Sequence, residues 1–312
     1  MLFDPENFYY LYLPVAELNI NGIALIGIGV IVGIIAGMCG IGGSIILLPI
    51  LIFLGIPIHI AVTTALNQVL ATSFSASLIY ARKNLIDYKL ATFLISGGLI
   101  GIILGIILYH WCYNIGKLDI FVSLGFLFTL LSIGTFNAKE VAILLYYRYK
   151  KISTPPKPLP NWVQRISFYK TKFPSSKNKL SGIFPLSLGV LSGVMLSFMG
   201  LGGSLIMTPI LLYIFGISSS YVAGTISFQM VFTTFISYYI HAIESQSIDL
   251  VLAIPLLIGT VFGSQIGAKI GSQLSQETFK IMIATVTLLL CAKIGFELFA
   301  EPASIYQIEV LK

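Results

Sequence analysis

Charge is scarce in this sequence. Asp, Glu, Lys and Arg make up 10% of its 312 residues, against about 25% in soluble globular domains. None occurs between Asn19 and Ala81, and none between Leu180 and Ile243. Charge-free apolar runs of more than about 18 residues read as membrane-spanning helices, and runs this long hold several each. The chain therefore reads as an all-α polytopic membrane protein.

Cysteine is scarce as well. Cys39, Cys112 and Cys291 are odd in number, far apart and in apolar surroundings, which excludes a disulfide framework and zinc-ligand spacing. There is no HExxH, GxSxG or Walker pattern. The chain is not expected to be an enzyme, to hold a cofactor or metal, or to use ATP directly. No acid lies in the core of an expected span, so no buried carboxylate proton relay is visible. Residues 1–19 hold Asp4, Glu6 and Glu17 but no Lys or Arg. The basic start of a signal peptide is missing.

What positive charge there is lies mostly in one place. The formal net charge is +6, and ten of the eighteen basic residues fall between Lys139 and Lys179, with Glu140 the one acid among them. In a membrane protein such a loop marks the cytoplasmic side and can meet anionic lipid headgroups. A nucleic-acid partner is not expected.

Polar punctuation divides the apolar sequence into segments A (20–38), B (44–55), C (58–80), D (89–109) and E (118–136), then A′ (182–198), B′ (204–215), C′ (219–241), D′ (249–268) and E′ (279–298). The expected organisation is an extracytoplasmic segment 1–19, a first membrane repeat 20–137, a basic cytoplasmic linker 138–181, a second repeat 182–300 and a tail 301–312. The linker contains STPPKPLP and KTKFPSSKNK, too polar and proline-rich to span.

The two sets of five segments are copies. At an offset of 160, Gly29, Gly33, Gly40, Gly42, Gly43, Ser44, Pro49, Ile50 and Leu51 match Gly189, Gly193, Gly200, Gly202, Gly203, Ser204, Pro209, Ile210 and Leu211. At 161, Thr64, Gln68, Thr72 and Phe74 match Thr225, Gln229, Thr233 and Phe235. At 162, Asp87, Gly97, Gly101 and Gly105 match Asp249, Gly259, Gly263 and Gly267.

Charges set the expected orientation. Arg82, Lys83 and Lys89 place the C–D loop inside with the linker, and Lys269 with Lys280 place D′–E′ there. The C′–D′ loop has Glu244 and Asp249 and no basic residue, so it reads as outside, as do the D–E loop and both chain ends. Five elements per copy force the copies into opposite orientations. This is an inverted-topology repeat, an architecture of secondary transporters, here expected as a multi-pass protein of the cell membrane.

Segment B is about 12 residues and therefore about 18 Å long, short of the roughly 30 Å hydrocarbon core. B′ is equally short. A with B, and A′ with B′, thus read as interrupted or re-entrant elements broken at Gly40–Ser44 and Gly200–Ser204. Irregular backbone at membrane depth is tolerated where it is enclosed by protein or lines a wet cavity. Ser44 and Ser204 are expected as N-caps of half-helices whose N–H groups and positive dipole ends attract anions. The other glycines read as close-packing positions.

Thr64, Gln68 and Thr72 recur at every fourth residue, one helix face, and Thr225, Gln229 and Thr233 repeat the pattern. The two glutamines either line a substrate path or bond helix to helix; for Thr72 and Thr233 packing is favoured. The candidate substrate-binding set is Gly40, Gly42, Gly43, Ser44, Thr64, Gln68, Gly200, Gly202, Gly203, Ser204, Thr225 and Gln229. Asn67 aligns with Phe228, and Cys39, beside the break, with Met199, so neither takes a symmetric role. His59, His110 and His241 lie near segment ends, where interfacial placement is expected. Tyr80, Tyr109, Trp111, Tyr238 and Tyr239 read as an aromatic belt.

The duplicated block, G-x-x-x-G followed by G-x-G-G-S-x-x-x-x-P-x-L, then a polar-faced helix and a GxxxGxxxG helix, resembles the sulfite exporter TauE/SafE family of membrane permeases. The resemblance covers about 22–110 and 185–295. It implies movement of small anions: sulfite, sulfonates, or related organosulfur and organic acids. By that resemblance Gly40, Gly42, Gly43, Pro49, Gly200, Gly202, Gly203 and Pro209 occupy signature positions. The leading expectation is a secondary permease for a small anion, with alternating access around a midplane site. The rivals are an anion-selective channel and a non-transporting membrane scaffold acting through the basic linker. The expected partners are a small anionic substrate and the lipid bilayer; a homo-oligomer is left open.

Overall fold

The computed structural model describes residues 10–15, 18–40, 42–116, 170–172, 179–245, 249–275 and 277–279, with scattered helical positions in 121–139 and 281–289. It is mostly helical. The first half contributes α1 (Gly22–Cys39), α2 (Ser44–Phe53), α3 (Ile58–Arg82) and α4 (Tyr88–Asn114). The second contributes α5 (Ile183–Met199), α6 (Ser204–Pro209) with a π-helical turn at Ile210–Ile214, α7 (Ser219–Ser245) and α8 (Leu250–Gly271). These are segments A to D and A′ to D′. Segments E and E′ are described only in part. Most of the linker and all of the 301–312 tail lie outside the described residues.

Two short antiparallel hairpins were not foreseen from the sequence. The strand β1 (Tyr10–Leu13) pairs with β2 (Leu18–Asn21), and β3 (Lys170–Lys172) pairs with β4 (Lys179–Ser181). The first hairpin leads straight into α1, where Asn21 Oδ1 accepts from the N–H groups of Ile23 and Ala24.

α4 and α8 are long and apolar enough to cross a membrane. Their exposed faces show what surrounds them. On α8, Leu250, Ile254, Ile258, Phe262, Ile266 and Ile270 are exposed at every fourth residue, while Gly259, Gly263, Gly267 and Gly271 are buried. A water-soluble fold turns its large apolar residues inward. Here the smallest residues face protein and the largest face out, as in a bilayer, where small residues let helix backbones approach.

The glycines bring α1 against α8 and α4 against α5. A Cβ on Gly29 would meet the Leu256 carbonyl oxygen at 2.7 Å, and one on Gly33 the Thr260 carbonyl oxygen at 2.6 Å. In the other pair, Gly101 lies on the Val190 carbonyl and Gly189 on that of Leu94. These contacts are reciprocal: Leu94 and Leu256 differ by the same 162 positions as Gly97 and Gly259. α3 and α7 pack together between the two pairs.

Asp87 and Asp249, matched by the repeat but not foreseen as caps, are the N-caps of α4 and α8. Asp87 Oδ1 accepts from Leu90 N at 3.1 Å. Asp249 Oδ1 accepts from Val251 N and Leu252 N at 3.0 and 3.1 Å, and its Oδ2 accepts from Val15 N at 3.1 Å. Both are buried, and each satisfies N–H groups that a helix start leaves orphaned.

Candidate functional site

The chain reverses after α1 and again after α5. Gly40 and Gly200 end those helices with φ of 67° and 68°, and their N–H groups donate back to the carbonyls of Ala36 and Leu196. Left-handed backbone is nearly free for glycine and strained for other residues. The turn after α2 returns to the start of α1, with Gly55 against Leu18. The turn after the π segment returns to the start of α5, with the Phe215 and Phe184 rings 5.1 Å apart.

The two breaks meet. The Gly202 N–H donates to Ser44 Oγ at 3.1 Å, across 158 residues of chain. Their surroundings are again reciprocal. Gly42 lies against Val69 and Gly202 against Met230, while Gly40 lies against Ala223 and Gly200 against Val62. Each partner pair, 69 with 230 and 62 with 223, is 161 positions apart.

Ser44 and Ser204 are not the caps expected from the sequence. Gly43, with φ 80°, and Gly203, with φ −56°, hold the N-cap positions, and neither supplies a side-chain cap. Glycine turns the chain one residue earlier, so each serine becomes the first helical residue and its hydroxyl is released. Ser44 Oγ serves the opposite break; Ser204 Oγ donates to the Gly202 carbonyl at 3.0 Å. In α2 the first helical acceptor is the Gly43 carbonyl, taken by the N–H groups of Ile46 and Leu47. The N–H groups of Ser44 and Ile45 thus stay outside the helix's own bonding.

All twelve predicted site residues are buried. Gln68 and Gln229 are 1% and 0% exposed. Neither Gln68 Nε2 nor its Oε1 has a hydrogen-bond partner, and Gln229 Oε1 has none. Gln68 Nε2 would lie 2.9 Å from a Cβ on Gly43, which puts the amide at the first break. Gln229 Nε2 instead donates to Thr233 Oγ1 at 3.1 Å. A buried polar group left unpaired costs about 1–3 kcal/mol. The two glutamines occupy equivalent positions of the repeat.

Three of the four threonines on these faces are hydrogen-bonded within the protein. Thr72 Oγ1 is tied to the carbonyls of Gln68 and Gly42, and so fastens α3 to the first break. Thr233 Oγ1 bonds the Gln229 carbonyl. Thr225 Oγ1 accepts from Asp87 N at 3.0 Å, so this member of the set holds the start of α4. Thr64 is buried at the start of α3. The cleft of about 620 Å³ between α3 and α7 is lined by Asn67, Leu70, Phe74, Phe232 and Phe235 among others, and by neither glutamine.

Three interfacial expectations are overturned. His241 is 1% exposed, with Nε2 hydrogen-bonded to the Ser197 carbonyl at 2.8 Å and its ring edge-on to Tyr109. Tyr80, 0% exposed, donates to the Gly37 carbonyl at 3.2 Å. Tyr109 is buried as well. His241 and Tyr80 secure the last turns of α5 and α1, whose carbonyls a helix end leaves unpaired. His241 and Tyr80 are 161 positions apart, and their acceptors 160, a pairing hidden by the difference in residue type. Trp111 and Tyr239 are exposed as a membrane belt requires.

The chain is 25% identical over 269 residues to "Probable membrane transporter protein YjnA" of Bacillus subtilis (strain 168), covering 85% of this chain and 96% of that protein. No solved structure matches it. A family model described as "Sulfite exporter TauE/SafE" matches residues 25–294. The chain belongs to the sulfite exporter TauE/SafE family of membrane transporters.

Proposed function

We propose that the protein is a secondary permease for a small oxyanion, sulfite or a sulfonate, which binds where the two breaks meet. The observation that carries this reading is the pair of buried glutamine amides with unpartnered atoms. An oxyanion offers acceptors to Gln68 Nε2, to the second N–H of Gln229 Nε2, whose first serves Thr233, and to backbone N–H groups such as that of Ser44. It needs no cationic partner when oriented N–H dipoles converge on it.

The halves act as inverted repeats, each with a re-entrant hairpin whose tip reaches the centre. Reciprocal packing of α1 on α8 and α4 on α5 supports this, because a two-fold exchange of the halves carries the Gly29–Leu256 contact onto Gly189–Leu94. Alternating access then follows from rocking about a fixed central site. The basic linker faces the cytoplasm in this reading. Lys83, which donates to Ser272 Oγ, shares its face, and the Asp249–Val15 contact belongs to the other side of the cell membrane.

The test is uptake of labelled sulfite into proteoliposomes. The wild-type chain gives saturable uptake, and Gln68→Leu with Gln229→Leu reduces it at least tenfold. Unchanged uptake in the double variant overturns the site. Flux that never saturates favours an anion channel instead.

A further inference from the structure

The buried polar ridge of α7 extends past the residues assigned above. Thr225, Gln229, Thr233, Ser237 and His241 follow one another at every fourth position, and none is more than 1% exposed. Positions four apart form a continuous ridge on a helix surface. Its ends are already accounted for: Thr225 holds Asp87, and His241 holds the Ser197 carbonyl. Between Gln229 and His241 lies Ser237, with Thr234 beside it three residues earlier.

Hydroxyls inside helices normally donate to a carbonyl one turn back. In α3 and α7 several do: Thr63 to Ile60, Thr72 to Gln68, Ser77 to Phe74 and Thr233 to Gln229. Thr234 Oγ1 and Ser237 Oγ do not, though both residues are 0% exposed and neither hydroxyl has any partner. Thr233 on the same helix makes the local bond, which these two hydroxyls leave unmade. The ridge faces α4, since Thr233 and Gln229 lie on Gly98 and the His241 ring lies on Tyr109. Ser237 falls between those two contacts.

In α3 the position equivalent to Ser237 is Ala76, so the two halves are unlike here. Ser73, the counterpart of Thr234, is also without a partner, but no second hydroxyl joins it.

We infer that Thr234 and Ser237 form a second oxyanion station, between the glutamine site and the His241–Ser197 contact. Its ligand is a small sulfur oxyanion bound through neutral hydroxyl donors. The inference rests on the permease reading, of which it names a further site on the route. A station of two hydroxyls binds weakly, as a transit point must, and has no counterpart toward the face of Lys83 and Ser272.

The experiment uses the full chain with Cys39, Cys112 and Cys291 replaced by alanine. Ser237→Cys is treated with 2-sulfonatoethyl methanethiosulfonate, a small anionic thiol reagent. The control is Ser77→Cys, whose native hydroxyl is bonded within its own helix. Ser237→Cys is expected to react at least tenfold faster than the control, and methanesulfonate, which is inert to thiols, to slow it at least threefold. Equal rates for the two cysteines, or no protection by methanesulfonate, overturn the station whether or not sulfite is the cargo. A second variant, Thr234→Val/Ser237→Ala, keeps the packing and is expected to raise the KM for sulfite uptake at least threefold. Wild-type KM in that variant, with uptake still lost in Gln68→Leu/Gln229→Leu, sinks the station and leaves the central site standing. Protected labelling at Ser237→Cys with uptake unaffected by the glutamine substitutions supports the station and overturns the central site.

Discussion

At the residue scale, the two glutamines separate function from stability. Burial without partners destabilises the folded state, and strain of this kind persists at functional sites at the expense of stability. Gln68→Leu and Gln229→Leu are therefore expected to leave the melting temperature in detergent unchanged or raised by a few degrees while transport falls. A structural glutamine would show the reverse, a lower melting temperature with activity lost only in proportion to unfolding. These residues were legible in the sequence because a polar residue repeated at every fourth position, twice, stands out in an uncharged span. The serine caps were misread for a physical reason. Serine after two glycines looks like a cap, but glycine itself holds the cap position and frees the hydroxyl, which at Ser44 reaches the opposite break. His241 and Tyr80 were misread because closeness to a segment end does not reveal whether a side chain turns toward lipid or toward a carbonyl.

At the element scale, close helix approach predicts which glycines can change. Gly33→Ala pushes a methyl into the Thr260 backbone, so the α1–α8 pair must separate. The expected result is a drop in melting temperature of several degrees. Gly27, on the same helix with nothing within 4 Å of a Cβ, accepts alanine with a gain of up to about 1 kcal/mol from helix propensity. Thermal unfolding of both variants in one detergent checks the contrast. Equal destabilisation would mean that glycine content, rather than the contact with α8, sets the effect. Asp249→Ala removes the acceptor of three N–H groups and is expected to cost about 1–2 kcal/mol, the upper range for an N-cap. The repeat made the helix boundaries readable to within a few residues, because glycine and proline punctuate both copies alike. The terminal hairpin was unreadable. Its strands, Tyr10–Leu13 and Leu18–Asn21, are too short for a periodic signal.

At the scale of the whole molecule, the account depends on two halves that face opposite ways and meet at their breaks. That arrangement sets which groups share a membrane face. Cysteines introduced at Lys83 and Ser272 are expected to label from the cytoplasmic side, and one at Val15 from the other. Labelling of Lys83→Cys and Val15→Cys by an impermeant reagent from the same side would contradict the topology. The sequence supplied the copies and the charge bias. It could not supply the Ser44–Gly202 bond, which joins residues 158 positions apart and is a product of tertiary packing alone.

The central claim is that the buried amides of Gln68, which has no partner, and of Gln229, whose Oε1 has none, bind the transported anion. Its most direct test is saturable uptake of labelled sulfite into proteoliposomes holding wild-type chain or the Gln68→Leu/Gln229→Leu variant, with folded protein matched between samples. The account predicts saturable uptake in the wild type and at least a tenfold loss of kcat/KM in the variant, without loss of thermal stability. Equal kcat/KM in the two would contradict it.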